Sequence, residues 1–572
     1  MPRYDLLIKG GTVIDGMRTP RYTADVAVAG GRIAQIGRVS ESEAARVFDA
    51  KDLVVAPGFV DLHTHYDSQV FWDPWCTLSG WHGVTSVAIG NCGFGFAPVK
   101  PEDRERAMLT MERNEAVRAT TMAAGMPWDW ETFPEFLDSI ERTPKGVNML
   151  SYVPINPLMA YVMGHQAAKE RPATEAERKR MCALLSESLD AGGCGISAQL
   201  LGPGSVQRDY DGTPMITDTM SEEDLLTFAA VLREKQRGFI QVLGGSPELG
   251  EQLCEVSGRP LIWNAVVLLL DQHGNTYGHY RDRLRWLEEA NAKGHRIFGQ
   301  TVTAQNNYEF SLTDWNLFDP IPAWRAVTLG SVEERMRKMR DPELRQAVRD
   351  SYRPRPFIGA LSTDIPDLRI AEGFTDDVRA LEGYTVGEIA KRDGSHPVDV
   401  FLDTALADDL RTVFVTPPQE FEMDAMREMA NSPFALPGIS DGGAHMKFMT
   451  TGRYATEFLT CLVRDNGIMD LEQAHWRLSG YPALAAGFTD RGVLREGDPA
   501  DIIVYDYDAL KLLPTERLHD FPAGDWRLSQ KADGYRLTIV NGRVTFEDGE
   551  CTGKTPGVLL RHGRTAADAL AA

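Results

Sequence analysis

Residues 174–200 read TEAERKRMCALLSESLDAGGCGISAQL and pass from one periodicity to another. Thr174 with Glu177 is a T-x-x-E capping box, in which each side chain satisfies a backbone N–H that the first helical turn leaves open. Met181, Leu184, Leu185 and Leu189 then share one helical face, Gly192-Gly193 stops the helix, and Gly195 to Leu200 resumes as strand. The same order recurs from Ser221. Leu225, Phe228, Ala229 and Leu232 form a stripe, Gly238 is the expected stop, and Phe239 to Leu243 is the next strand. Helix followed by strand, repeated, is the pattern of βα units around a parallel sheet.

Extending this reading in both directions gives eight candidate strands: Phe59 to His63, Val84 to Ile89, Val147 to Tyr152, Cys194 to Gln199, Phe239 to Leu243, Leu261 to Asn264, Ile297 to Val302 and Leu436 to Ser440. Eight strands predict an α/β fold, a (β/α)8 TIM-like barrel. The stretch from Phe59 to about Ala486 exceeds the roughly 250 residues typical of such a barrel, so a long insertion is expected at about 302–434. Outside it, residues 4–55 alternate short β-rich runs with the turn pairs Gly10-Gly11 and Gly30-Gly31, and the same texture returns in Asp501 to Tyr505 and Leu537 to Val544. Residues 1–56 and 487–550 are therefore expected to build one small composite β-sandwich. The barrel, 57–486, is inserted into it, and 551–572 is left as a C-terminal tail, frayed over 566–572.

The chain has 572 residues, 43% of them hydrophobic, which is enough for a large core and for three or four units at roughly 100 to 200 residues each. A net charge of -22 argues against a general binder of nucleic acid or of anionic membranes and favours a small-molecule partner. The seven cysteines are scattered without a C-x-x-C pair, which reads as a reducing compartment and not as a disulfide framework. The start, MPRYDLLIKGGTVIDG, has no apolar stretch behind a basic opening, and no run approaches the roughly 18 apolar residues of a membrane span. A cytoplasmic protein is expected, with no nucleic acid and no membrane partner. A homo-oligomer is left open.

Three short stretches carry chemistry. In VDLHTH, 60–65, His63 and His65 are two apart, so on a strand both point to one side and two imidazoles can share a metal ion; core histidines are the competing reading. Cys92 lies in IGNCGFG, 89–95, where a thiolate joins the histidines or a small buried residue fills a glycine-rich turn. In ISDGGAH, 439–445, Asp441 follows the eighth strand as a catalytic carboxylate or as an ordinary turn residue. Strands one, two and eight are neighbours in a closed barrel, and the groups after them fall on the face where such enzymes keep their chemistry. No G-x-S-x-G elbow, phosphate loop or dinucleotide fingerprint is present, so serine-triad, nucleotide-hydrolysis and dinucleotide readings drop out.

With PGFVDLHTHYD at 57–67, GVTSVAIGNCG at 83–93, SDGGAH at 440–445 and DRGVLREGDPADIIVYD at 490–506, the sequence resembles the amidohydrolase superfamily, within it the D-aminoacylase-like (N-acyl-D-amino-acid deacylase) branch. The resemblance spans nearly the whole chain. It implies that His63, His65 and Cys92 are metal ligands and that Asp441 is metal-associated and handles protons. His445 and Lys447 sit where a loop after the eighth strand can reach the substrate, and the resemblance places Arg453 near an arginine that clamps the substrate carboxylate, a surface arginine on the following helix being the competing reading. Departures are specific: the regions after strands five and six, GFIQVLGG (238–245) and PLIWNAVV (260–267), hold none of the histidines the branch places there. Val153-Pro154-Ile155-Asn156 replaces the turn after strand three, and GISAQLLG has no strand-four lysine. His273 and His279 are the candidates to replace the missing ligands.

The expectation is one divalent ion, zinc or a similar metal, held by His63, His65, Cys92 and Asp441, in a hydrolase that cleaves an N-acyl amide, a C–N bond that is not a peptide, of an N-acyl-D-amino acid. Asp441 is the general base and acid. Alternatives on the same site are a lactone, cyclic amide or carbamate, or a ligand-binding barrel that has lost its metal. Aromatic residues at 308, 310, 315, 318 and 324, together with Phe71, Trp72, Trp75 and Trp81, are candidates for an apolar acyl pocket.

Overall fold

The computed structural model describes residues 2–270, 276–277, 279–305, 308–314, 318, 320–353, 363–418 and 420–562. All eight candidate strands fall on strands of the structure, and all run parallel to their neighbours. Phe59–Asp61, Val84–Ile89 and Asn148–Ser151 form one arc. Ala435–Gly438, Ile297–Val302, Leu261–Val266, Phe239–Gly244, Gly195–Leu200 and the short Val153–Pro154 form a second. The arcs meet at both seams, because Asn148–Ser151 runs on into Val153–Pro154 and a parallel bridge joins Thr64 to Gly442 beyond Ala435–Gly438.

Local signals explain the helices. Thr174 and Glu177 make both bonds of the capping box on helix Glu175–Ala191, which ends at Gly192 in the left-handed conformation. Helix Glu222–Lys235 is capped by Ser221 but stops earlier than expected, because Gln236 takes the left-handed C-cap at φ 52°. Gly238 instead opens the following strand, where a Cβ would come 3.1 Å from the Gly195 backbone.

Strands from both ends of the chain share one sheet. Ile502–Tyr505 pairs antiparallel with Val54–Pro57 on one side and Tyr535–Val540 on the other, and Leu6–Val13, Tyr22–Ala29 and Arg32–Gly37 extend it. Ile8, Val26, Val55, Ile502 and Leu537 pack its core. Residues 552–562 are not a free tail: Leu560 N donates to Met149 O at 2.6 Å, and His562 is buried beside Ala486. Residues 566–572 lie outside the described residues.

Within 302–434, Glu309–Phe310, Val413–Val415 and Arg369–Glu372 form a small antiparallel sheet with helices around it. Phe310, Phe318 and Trp324 are spent in its core, with Phe318 and Trp324 ring centroids 4.6 Å apart and both against Phe401. Trp315 lies outside the described residues. The aromatics after the first strand are likewise structural. Phe71 stacks on Trp130 at 5.5 Å, Trp72 meets Phe521, and Trp75 Nε1 donates to Lys554 O at 3.0 Å. Phe71, Trp72 and Trp75 are thus each held against another part of the chain. No helix among the described residues is long and apolar enough to cross a membrane.

Two buried histidines join these parts. His82 Nε2–H donates to Gln530 O at 2.8 Å and its Nδ1 meets Thr456 Oγ1 at 2.8 Å, and His475 Nε2 meets the Tyr505 hydroxyl at 2.8 Å. Burial holds His82 down to about 4 and His475 down to about 3, so both rings are neutral in the fold. The unfolded chain binds a proton at each below about 6.5, so unfolding takes up protons there and stability falls as pH drops from about 6.5 toward 4. Urea midpoints measured between pH 7.5 and 4.5 should show this decline, each histidine contributing at most about 1.4 kcal/mol per pH unit. His475→Phe should flatten it; an unchanged slope in that variant would assign the acid sensitivity elsewhere.

Candidate metal centre

The site sits where the seam strands end. After Phe59–Asp61 the chain leaves the sheet: His63 N donates to Asp61 Oδ1 at 3.1 Å, and His65 N donates to Gly442 O at 2.7 Å. His63 and His65 are thus beyond the strand, yet their rings face each other with centroids 5.5 Å apart. Gly443 makes this approach possible, because at φ +87° a Cβ there would stand 2.8 Å from the His65 carbonyl. Cys92 follows Val84–Ile89 in a single tight turn at φ 57°, with its N–H donated to Gln241 Oε1 at 2.9 Å.

One ligand atom each from His63, His65 and Cys92 lies within 4.8 Å of the others, all buried. Cys92 Sγ is 3.4 Å from His63 Nε2. Asp441 Oδ1 is 3.2 Å from His63 Nε2 and 3.8 Å from His65 Nε2. The structure therefore brings together the four residues singled out in the sequence. The Asp441 side chain is 19% exposed against 2% and 3% for the histidines, so of the three it is the one solvent reaches most. The loop is shaped by left-handed residues: Ile439, Asp441 and His445 have φ of 60°, 48° and 56°.

Burial and the charge of His63 lower His65 to about 3, which leaves a neutral imidazole able to donate a lone pair. Burial opposes the charge on Asp441, but the hydrogen bond and charge of His63, with His445 and His65, outweigh it and hold the carboxyl well below its usual range. Burial, then Asp441, Glu115 and Asp67, push the Cys92 thiol far up. Burial with neighbouring carboxylates raises Glu115, and burial raises Asp67 to about 7. Asp67 and Glu115, 1% and 0% exposed, are acidic residues of the site with no local sequence signal beyond the Asp67 in HTHYD.

The strand ends that lack histidine are occupied by amides. Asn264, on Leu261–Val266, places its side-chain amide against His63 Nδ1, and Gln241, on Phe239–Gly244, holds the Cys92 backbone. Both are 0% exposed. The signal was a polar residue inside each otherwise apolar run. Asn264 Oδ1 has no hydrogen-bond partner among the described residues, and the two ends of an amide are interchangeable in shape. With Oδ1 turned toward His63, it accepts from Nδ1–H and leaves the Nε2 lone pair free for a metal. His279 is exposed at the start of helix Tyr280–Ala292, and His273 lies outside the described residues.

The residues expected to meet substrate have varied surroundings. His445 stands beside the four-donor group, with its N–H on Glu115 O at 2.7 Å and Nε2 at 3.3 Å from Glu115 Oε2. Lys447 is 4% exposed, its ammonium bound to Asp525 and to Trp526 O and lying 4.2 Å over the Trp526 ring. Arg453 donates to Thr450 Oγ1 at 3.0 Å and Gln305 O at 2.6 Å and pairs with Glu457 at 3.1 Å. Both cations are engaged within the protein, Lys447 with the Lys511–Phe521/Asp525–Asp533 hairpin and Arg453 with the start of the 302–434 segment.

The profile of the amidohydrolase family matches residues 46–546. D-aminoacylase of Alcaligenes xylosoxydans xylosoxydans is 26% identical over 571 residues, 99% of this chain and 98% of its own. N-acyl-D-glutamate deacylase of the same organism is 26% identical over 584 residues, again 99% and 98%. Among solved structures, N-acyl-D-glutamate deacylase from Bordetella bronchiseptica, complexed with zinc and a phosphonate inhibitor, superposes with TM-score 0.67 at 22% identity over 98% of this chain and 100% of its own. A D-aminoacylase described as having a binuclear metal centre gives the same values. The chain therefore belongs to the amidohydrolase family, in its D-aminoacylase-like branch, and is a hydrolase of carbon–nitrogen bonds other than peptide bonds.

Proposed function

We propose that the protein is a metal-dependent hydrolase of N-acyl amides, acting on N-acyl-D-amino acids in the cytoplasm and holding one zinc ion. The observation that carries this is the convergence of His63, His65, Cys92 and Asp441 on one buried point. Two imidazoles, a thiolate and a carboxylate are a coherent donor set for zinc. The crowding of Cys92 with Asp441, Glu115 and Asp67 supports a cation there, because only added positive charge lets a buried thiol ionise beside carboxylates. Amides standing at positions 241 and 264, in the strands where histidine was expected, support a single ion. The two arcs meeting at both seams support closure into a (β/α)8 barrel at 57–486, with 302–434 inserted in it. The shared terminal sheet supports a composite domain of 1–56 and 487–550.

A divalent ion bound to these donors supplies Lewis-acid polarisation of the scissile carbonyl and acidification of water. The rest falls to the chain. Asp441 enters ionised, so it begins as a proton acceptor, and its partial exposure lets it reach attacking water on one side of the amide carbonyl. The same carboxyl then returns the proton to the departing amine. His445 lies in the field of Asp441 and against Glu115, positioned to hydrogen-bond the acyl oxygen or the amino-acid portion. Burial of His63, His65 and Cys92 excludes bulk water from the inner face.

Purified full-length protein grown with zinc should contain one zinc per chain and hydrolyse N-acyl-D-amino acids, and the His63→Ala/His65→Ala double variant should lose both, with activity down at least about 100-fold. Equal metal content in the two would reject the site. Asn264→Ala should weaken zinc affinity about 10- to 100-fold in chelator competition, as loss of a ligand's outer hydrogen bond does. Asn264→Asp, which keeps an acceptor for Nδ1–H, should restore most of it; an alanine variant as tight as wild type would show that the amide does not orient His63.

A further inference from the structure

A cavity of about 70 Å³, partly open to solvent, lies beside the Phe94–Gly95 stretch that follows Cys92. Phe94, Val99, Ala107, Met111, Ala160 and Ile216 give it a largely apolar wall. Several of its polar neighbours are engaged, while His165 Nε2 has no hydrogen-bond partner among the described residues and Lys100 lies 5.6 Å over the Tyr161 ring. Asn156 donates to Gly93 O at 2.9 Å and accepts from Thr217 N at 3.0 Å, and the Tyr161 hydroxyl donates to Glu131 at 2.7 Å. Asp209 is neutralised by Lys169 at 2.6 Å and Arg106 at 2.5 Å, and Asp103 faces His165 at 3.6 Å. The apolar wall offers an occupant dispersion contacts and release of water.

Two features connect this space to the chemistry. Phe94 and Gly95 follow Cys92 directly, and the Phe94 ring is 6.5 Å from the His65 ring. A side chain at Gly95 would strike Pro154 at 2.7 Å and lie 3.7 Å from Asp67 Oδ1, so this stretch has the cavity and the buried carboxylate within reach. Helix Arg104–Glu115 supplies the second link. Ala107, Met111 and Glu115 are four residues apart on one face, the first two lining the cavity and the third touching His445. At 1.5 Å per residue Met111 lies about 6 Å and Ala107 about 12 Å from Glu115 along that face.

We propose that this cavity receives the apolar tail of the acyl group, so that the enzyme acts on amides of unbranched, medium-length fatty acids in preference to acetyl amides. The inference rests on the amide-hydrolase reading of the metal centre for its catalytic meaning and on the cavity alone for its binding meaning. The acyl carbonyl stands at the His63, His65, Cys92 and Asp441 group while its hydrocarbon tail passes Phe94 and lies along Ala107 and Met111.

The test uses zinc-loaded, full-length enzyme with N-acetyl, N-hexanoyl and N-octanoyl derivatives of a panel of D-amino acids. In wild type, kcat/KM should rise at least tenfold from acetyl to octanoyl. Ala160→Phe, and Ala107→Phe as an independent variant, fill the space, and the octanoyl-to-acetyl ratio should fall at least tenfold in each. A ratio unchanged in both, or no rise with length in wild type, would overturn the proposal. If wild type hydrolysed none of these amides, the amide reading would fall while calorimetric titration with octanoate still decided the cavity: binding weakened at least tenfold by Ala160→Phe supports it, and equal or absent binding overturns it.

Discussion

Four acidic groups, the Cys92 thiol and the carboxyls of Asp441, Glu115 and Asp67, are pressed into one low-dielectric space beside the imidazoles of His63 and His65. Protonation answers this crowding in the free protein and a cation answers it in the loaded one, and the geometry around them serves the second case. The seam between the strands at 59–61 and 435–438 has to meet for the site to exist, because His63 and His65 come from one side and Asp441 from the other. Hydrogen bonds across that seam, Ser440 Oγ to His63 O at 3.0 Å and His65 N to Gly442 O at 2.7 Å, make ligand placement and strand pairing the same event.

Much of the fold was legible because its signals are local. A capping box, a stripe at helical spacing and a short β-branched run each announce themselves within a dozen residues, and the strand positions follow. Boundaries shifted where tertiary contact decided, as at Gln236, which ends its helix before the glycine expected to do so. His63, His65, Cys92 and Asp441 stood out because their types are rare at strand ends. Gln241 and Asn264 did not, since an amide has meaning only through the neighbour it holds, and that neighbour is about 150 to 200 residues away in sequence for both. Glu115, the last residue of a helix, is equally silent until His445 is seen against it.

Lys447 and Arg453 also tie the segment after the eighth strand to two other parts of the molecule through their hydrogen bonds. Asp525 takes the Lys447 ammonium, accepts from Thr121 Oγ1 at 2.8 Å and faces Arg118 at 3.5 Å, so one buried carboxylate joins the terminal hairpin to the rim of the site. Aromatic side chains at 310, 318 and 324 are consumed in a separate core, while the apolar cavity beside Cys92 is walled mainly by alanine, valine, methionine and isoleucine.

The left-handed backbone at positions 439, 441 and 445 narrows what this loop can become. Aspartate and histidine are among the few residues other than glycine that tolerate that conformation, so at 441 and 445 the amino acids the chemistry wants are also ones the main chain accepts. Glutamate, equal in charge, lacks that tolerance, and lengthening the acid by one methylene would disturb the turn as well as the reach. Ile439 has no such excuse, being β-branched and held at φ 60°. The conformational cost it carries makes it the position where neutral drift toward asparagine or glycine would strengthen the fold without touching the reacting groups.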